Sequence, residues 1–206
     1  MNIEESDRTT ASVDIHNFLR ARRSVRRFKT DPIPAPVVER IIETATFAPS
    51  AHNLQPWRFA VVADLSARIR LGKALTAKMR VDMTAAGAPQ SEIEMRVERS
   101  MRRLDEAPVV ILLCRDVTAI RKDEPEEVTM AIQSVAACGL QLLLAAHAEG
   151  LGGNWICWPL YAQEAAREAL NLPNIWEPQG MFILGYAEGE PREKNLKELE
   201  SLSLWI

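Results

Sequence analysis

Four residues packed into the stretch ARRSVRRFK, namely Arg22, Arg23, Ser24 and Arg26, are the first in this chain whose types and spacing suggest chemistry. Guanidinium forks match phosphate oxygens two at a time and stay charged at any working pH. Several of them beside a hydroxyl therefore suit a terminal phosphate better than a single ion-pair partner would. Either backbone geometry keeps the group together. Four-residue spacing puts Arg22 and Arg26 on one helix face, and an extended segment puts Arg22, Ser24 and Arg26 on one side. The run also holds Arg20, Arg27 and Lys29, so it reads as a solvated basic face or a nucleic-acid patch as well as an anion site.

Other reactive types are scattered. Cys114, Cys138 and Cys157 form no CxxC pair, and His16, His52 and His147 lie far apart. Neither a metal site nor a disulfide framework is expected from that pattern. Cys157 offers either a redox thiol or a small buried hydrophobe. His52 offers either a proton for a substrate or a hydrogen bond within its own loop. Trp57 and Trp155 read as core or interface anchors, and Trp158 as a side chain that faces either a substrate or the interior.

The elements that must position these residues belong to one domain spanning 1–206. The chain has 206 residues, 47% of them hydrophobic, enough to bury a substantial core. No Gly/Ser linker and no fixed repeat divides it. Residues 1–11 read as a flexible N-terminus and 193–206 as a C-terminal extension. With 25 basic and 28 acidic residues the net charge is -3, so the arginine run is a local concentration in a mildly acidic protein, which argues against nucleic acid as a partner. MNIEESDRTTASVD lacks the apolar stretch of a secretory signal. The apolar run Val135–Ala148 falls short of the roughly 20 residues of a membrane span. A cytoplasmic protein with no membrane partner is expected.

Ser12 is a candidate cap for a helix bearing Ile15, Phe18 and Leu19 at helical spacing, which leaves the arginines at or past its end. Val38, Ile41, Ile42 and Ala45 mark a second helix over 37–47, stopped by Ala48-Pro49. The polar loop SAHNLQP leads into a strand over 58–63. Helices over 66–85 and 90–104 follow, separated by Gly87-Ala88-Pro89. VVILLC at 109–114 has the continuous apolar character of a strand buried on both faces. A long helix over 126–149 ends at GLGGN, where Gly150 suits a left-handed cap and Gly152-Gly153 permits close backbone approach. Strands over 155–158 and 181–186 flank a helix over 163–170. Strands separated by helices rather than tight turns predict an α+β class with helices packed on one sheet.

Taken together, the arginine cluster, APSAHNLQPWRF, the helix closed by GLGGNW, and GYAEGEPR resemble the FMN-dependent nitroreductase family over roughly residues 12 to 196. Within it, RVDMTAAGA, SEIEMRVER and LNLPNIWEPQG are similar to the FMN domain otherwise fused to the glutamate ligase of deazaflavin-coenzyme biosynthesis, here standing alone. The resemblance implies a three-layer sandwich with a mixed, mostly antiparallel central sheet flanked by helices. It also implies an intertwined homodimer with FMN at the subunit interface and the C-terminal extension wrapping the partner. On it, Arg22, Arg23, Ser24, Arg26 and the distant Arg192 would hold the flavin phosphate and ribityl chain. Ser50 and Asn53 would reach the flavin from the other subunit, and the backbone at Cys157 and Trp158 would lie along its ring. Family members often carry small residues at those last two positions, which puts substrate carry-over in doubt. The flavin, not a side chain, would carry the chemistry. NAD(P)H would serve as reductant and a small planar electron-accepting molecule such as a nitroaromatic or quinone as oxidant, in a ping-pong cycle. A deazaflavin precursor met by Arg80 and Arg96, or flavin binding without turnover, are the other readings. For residues 194–206 the reading is a packed tail rather than a lid.

Overall fold

The computed structural model describes residues 5–190 and 194–206. Strand β2 (Val109–Asp116) is buried along its whole length, as a continuous apolar run demands of a strand covered on both faces. It is flanked by β1 (Trp57–Val61) and β4 (Trp176–Gly185), and β3 (Gly152–Ile156) pairs with the far side of β4, giving the order β1-β2-β4-β3. Every ladder between these strands is antiparallel. The sheet is mostly antiparallel, as expected. Among the described residues the parallel direction enters only through an isolated bridge between Ser24 and Gly153.

Alternation along β2 and β4 assigns the two faces. Ile111, Leu113, Phe182 and Leu184 point into one core with α2 (Ala35–Ala45) and α5 (Pro125–Ala148). Val110, Leu112, Met181 and Ile183 point into a second core, which Leu71, Leu75, Leu104 and Ala166 complete. Those residues come from α3 (Leu65–Ala85), α4 (Gln90–Asp105) and α6 (Gln163–Ala169). The result is the three-layer α+β sandwich. Full burial of side chains such as Phe182 and Leu142 contributes about 1.5–3 kcal/mol each.

Helix α5 is long and apolar enough to cross a bilayer by composition, but Cys138, Leu142 and Ala146 are wholly buried against this sheet. Its other side is uncovered: Ile132 and Leu140 are 40% and 50% exposed. Gly150, just past its end, takes φ +75°, the left-handed cap expected there.

Several boundaries move. Helix α1 (Glu5–Ala21) begins upstream of Ser12, so Ser12 is interior rather than a cap. Residues 5–11, expected to be flexible, are helical, and 1–4 lie outside the described residues. Strand β4 starts five residues earlier than expected, because Glu177 and Gln179 interrupt the apolar pattern of its first half. Glu177 is held there by Arg115 at 3.0 Å and by Gln179 at 2.7 Å. Strand β3 starts at Gly152, so Cys157 and Trp158 lie beyond it. The C-terminal residues are not packed on their own chain: Leu196 is 73% and Trp205 92% exposed.

Candidate functional site

Helix α1 ends at Ala21, and the arginine segment continues in extended form along the open edge of β3. Val25 donates its backbone N–H to the Gly153 carbonyl at 3.0 Å. Further on, Lys29 donates to Tyr186 O at 2.9 Å and Glu188 to Arg27 O at 3.1 Å, while Phe28 is buried beneath the segment. The segment is thus bound by its backbone and by Val25 and Phe28, which leaves the polar side chains outside.

Arg22 is half-buried, and Ser24 and Arg26 are exposed. None of the three has a side-chain partner among the described residues. Arg23 is turned back onto its own chain and donates to the carbonyls of Arg22, at 3.0 Å, and Arg20. A cleft of about 140 Å³ opens beside them, lined by Arg22, Arg23, His147, Gly150 and Gly152. His147 stacks on Phe18 with ring centroids 4.8 Å apart. Arg192 lies outside the described residues.

One basic neighbour was not foreseen. Burial, and then the like charges of Arg26, Arg99 and Arg102, hold the Arg103 guanidinium below its ordinary value. Arg26 therefore lies within electrostatic reach of α4, in a group of cations. No carboxylate pairs with Arg99, Arg102 or Arg103 among the described residues. Nothing in the spacing of residues 22–29 and 96–103 signals that the fold brings them together.

The Ser50 loop is built differently. His52, Asn53 and Gln55 take φ of 53°, 55° and 48°, a left-handed conformation that costs non-glycine residues of order 1–3 kcal/mol each and clusters at functional sites. Local bonds hold it: the Gln55 N–H donates to Ser50 Oγ at 3.1 Å, and Gln55 Nε2 donates to Asn53 Oδ1 at 3.1 Å. The Ala51 N–H donates to Ser134 Oγ on α5 at 3.1 Å. His52 lies 3.2 Å from an Arg121 guanidinium nitrogen and 3.9 Å from Glu127, so it is engaged with charged neighbours.

Ser50 and Asn53 are not brought to the arginines. Ser134, which carries the loop, precedes Leu143 and His147 at the arginine cleft by nine and thirteen residues of α5, about 14–20 Å of helix. The two halves sit at opposite parts of one helix.

Cys157 is exposed, which corrects its reading as a small buried hydrophobe. That description fits Cys114 and Cys138, whose thiols burial pushes up to about 12. Trp158 is buried, in a short 3-10 turn spanning Trp158–Tyr161. It lines a larger cavity, of about 420 Å³, on the α3/α4 side. Trp57 is in the core and Trp155 packs at 5.0 Å on Phe182, as expected of anchors. Arg80 is taken up by Glu94.

Among the described residues no group of three or more His, Cys, Asp or Glu side chains is placed to hold a metal ion. An antiparallel sheet between helical layers, with a basic segment laid on its edge strand, defines an α+β sandwich. The nitroreductase family profile matches residues 19–186, and the chain belongs to that family. It is 32% identical to the 5,6-dimethylbenzimidazole synthase of Rhodospirillum rubrum, covering 88% of this chain and 84% of that one. It is 29% identical to a Thermus thermophilus NADH dehydrogenase, covering 89% and 92%. Among solved structures, a BluB-like flavoprotein of Clostridium difficile 630 superposes with a TM-score of 0.76 at 21% identity, over 93% of this chain and 98% of that one. An FMN-dependent nitroreductase of Clostridium difficile R20291 gives 0.65 at 24%, over 87% and 91%. These two likenesses concern the fold.

Proposed function

We propose that the protein is an FMN-dependent oxidoreductase that uses NAD(P)H to reduce a small planar electron acceptor, such as a nitroaromatic or quinone, in a ping-pong cycle. The observation that carries this is the edge segment. Arg22, Ser24 and Arg26 have no side-chain partner among the described residues, on a backbone pinned to β3 where Arg22 and Arg23 line a cleft. Unpaired guanidinium groups and a hydroxyl gathered on a fixed segment fit a phosphate and a polyol chain. Membership of the nitroreductase family and the name of the NADH dehydrogenase relative support the choice of chemistry and reductant.

On this reading Arg22, Arg23, Ser24 and Arg26, with Arg192, hold the phosphate and ribityl chain. Bound FMN would supply two-electron redox chemistry, taking hydride from reduced nicotinamide and passing it to the acceptor. The chain's own groups hold and orient. Gly153 turns its carbonyl outward to Val25, and strand alternation puts the backbone groups of Trp155 on the same open edge, where they lie available to a planar heterocycle. Residues 157 and 158 follow directly after that strand, in the turn that leads away from it. The separation of Ser50 and Asn53 from the arginines along α5 supports a homodimer in which each site takes its loop from the partner. The uncovered Ile132 and Leu140, and the exposed C-terminal tail, supply apolar surface for such contacts.

Absorbance of the purified chain incubated with FMN, followed by stopped-flow mixing with NADH or NADPH, tests this. Flavin absorbance that bleaches at a rate matching turnover supports it. A protein that takes up no flavin sinks it, and bound flavin that neither nucleotide bleaches favours the sequestering reading. The deazaflavin-precursor reading keeps Arg96 but loses Arg80 to Glu94.

A further inference from the structure

None of Arg22, Arg23, Ser24 and Arg26 lines the cavity of about 420 Å³ between α3, α4 and the turn after β3. Its size falls within the roughly 300–1,000 Å³ of small-molecule sites. Met79, Met83, Ile156 and Trp158 give it apolar walls, and Arg96 and Ser100 stand on α4 at its side. Lys78 and Asp82 also line it, but they pair with each other across one helical turn and cancel. Arg96 is exposed and has no ion-pair partner among the described residues, so it supplies the uncompensated charge of the cavity. Ser100, one turn further along the same face, adds a hydroxyl. The face continues through Arg99 to Arg103, about 10 Å along the axis, where it meets Arg26. Arg96, Arg99 and Arg103 thus form one cationic row on α4, running from the cavity toward the edge segment.

We infer that this cavity binds an aromatic or heteroaromatic anion, with its ring against Trp158 and the two methionines and its carboxylate or phosphate on Arg96. A flat apolar body fits these walls, and thioethers adapt to rings of differing outline. The guanidinium fork then selects the charged compound over a neutral analogue of the same shape. As the substrate subsite of a flavin enzyme this rests on the function proposed above. As a binding site it stands without it.

Calorimetric titration of the full chain, preincubated with FMN, with 2-naphthoate and with neutral 2-naphthalenemethanol separates the two. Naphthoate is expected to bind the tighter. Arg96→Gln should weaken naphthoate about tenfold or more and leave the alcohol unchanged, whereas Arg96→Lys should recover part of the loss. Lys73→Gln, on exposed α3 surface, controls for general charge and should change neither. Naphthoate binding that is absent, no tighter than the alcohol's, insensitive to Arg96→Gln or equally sensitive to Lys73→Gln overturns the proposal. Flavin absorbance of the same samples keeps the two readings apart. A colourless protein with Arg96-dependent naphthoate binding removes the flavin reading alone, and a yellow one whose binding is blind to charge removes this one alone.

Discussion

Val25 and Gly152 meet at the edge of the sheet so closely that a Cβ on Gly152 would lie 2.6 Å from the Val25 Cβ. The missing side chain is what lets the arginine segment lie against β3. Gly152→Ala should push the segment outward, with a stability loss of about 1–3 kcal/mol as for other overpacked contacts and weakened FMN binding. Urea unfolding and flavin-fluorescence titration read the two effects. Wild-type FMN affinity in this variant would detach the segment from the cofactor site.

Arg26→Ala and Arg22→Ala should each lower FMN affinity about tenfold, since a charge-assisted hydrogen bond contributes roughly 1.5–3 kcal/mol. Riboflavin lacks the phosphate, so its weaker binding should be indifferent to both changes. Parallel titrations with the two flavins make the comparison, and an equal loss for both would assign these arginines to the ribityl chain or ring rather than the phosphate.

Leu140→Glu should leave the fold intact, because Leu140 is 50% exposed, yet it places a charge on the uncovered face of α5. If the chain forms the proposed homodimer through this face, sedimentation should show the wild type as a dimer and the variant as a monomer that has lost FMN binding. A variant that stays dimeric would move the interface elsewhere.

Asp116 gives a pH dependence. Burial works to raise its pKa, but the Thr118 hydroxyl and N–H, at 2.6 and 2.9 Å, and Arg58, at 2.6 Å, together hold it below the ordinary 3.8. A depressed carboxylate stabilises the fold above its unfolded pKa, and that contribution disappears as pH falls through the folded value. The urea midpoint should therefore drop as pH falls below about 4. Asp116→Asn should cost about 1–3 kcal/mol near neutrality and flatten that acid limb. An unchanged acid limb in the variant would assign the pH response to other groups.

Much of the fold was legible. VVILLC announced β2 by unbroken apolarity, and Gly87-Ala88-Pro89 separated α3 from α4 within a residue or two of where they part. Legibility failed where residue type contradicts role. Gly152 and Gly153 look like a loop but form strand β3, because their lack of side chains admits Val25 and Leu143. Glu177 and Gln179 look like surface but lie in β4, their polarity satisfied by Arg115 and by each other. For the site, the arginine segment stood out from side-chain chemistry alone. Its proximity to Arg103 did not, since only the packing of α4 beside the edge segment creates it. The distance along α5 from Ser134 to His147 likewise has no signature in the sequence.

That distance has a genetic reading. If each flavin site takes its arginines from one chain and its Ser50 loop from the other, the two kinds of damage complement one another. Mixing subunits that carry Arg22→Ala with subunits that carry an inactivating change at Asn53 would give heterodimers with one wholly intact site and one doubly damaged. Two inactive alleles would thereby restore activity together, as one chain acting alone could not.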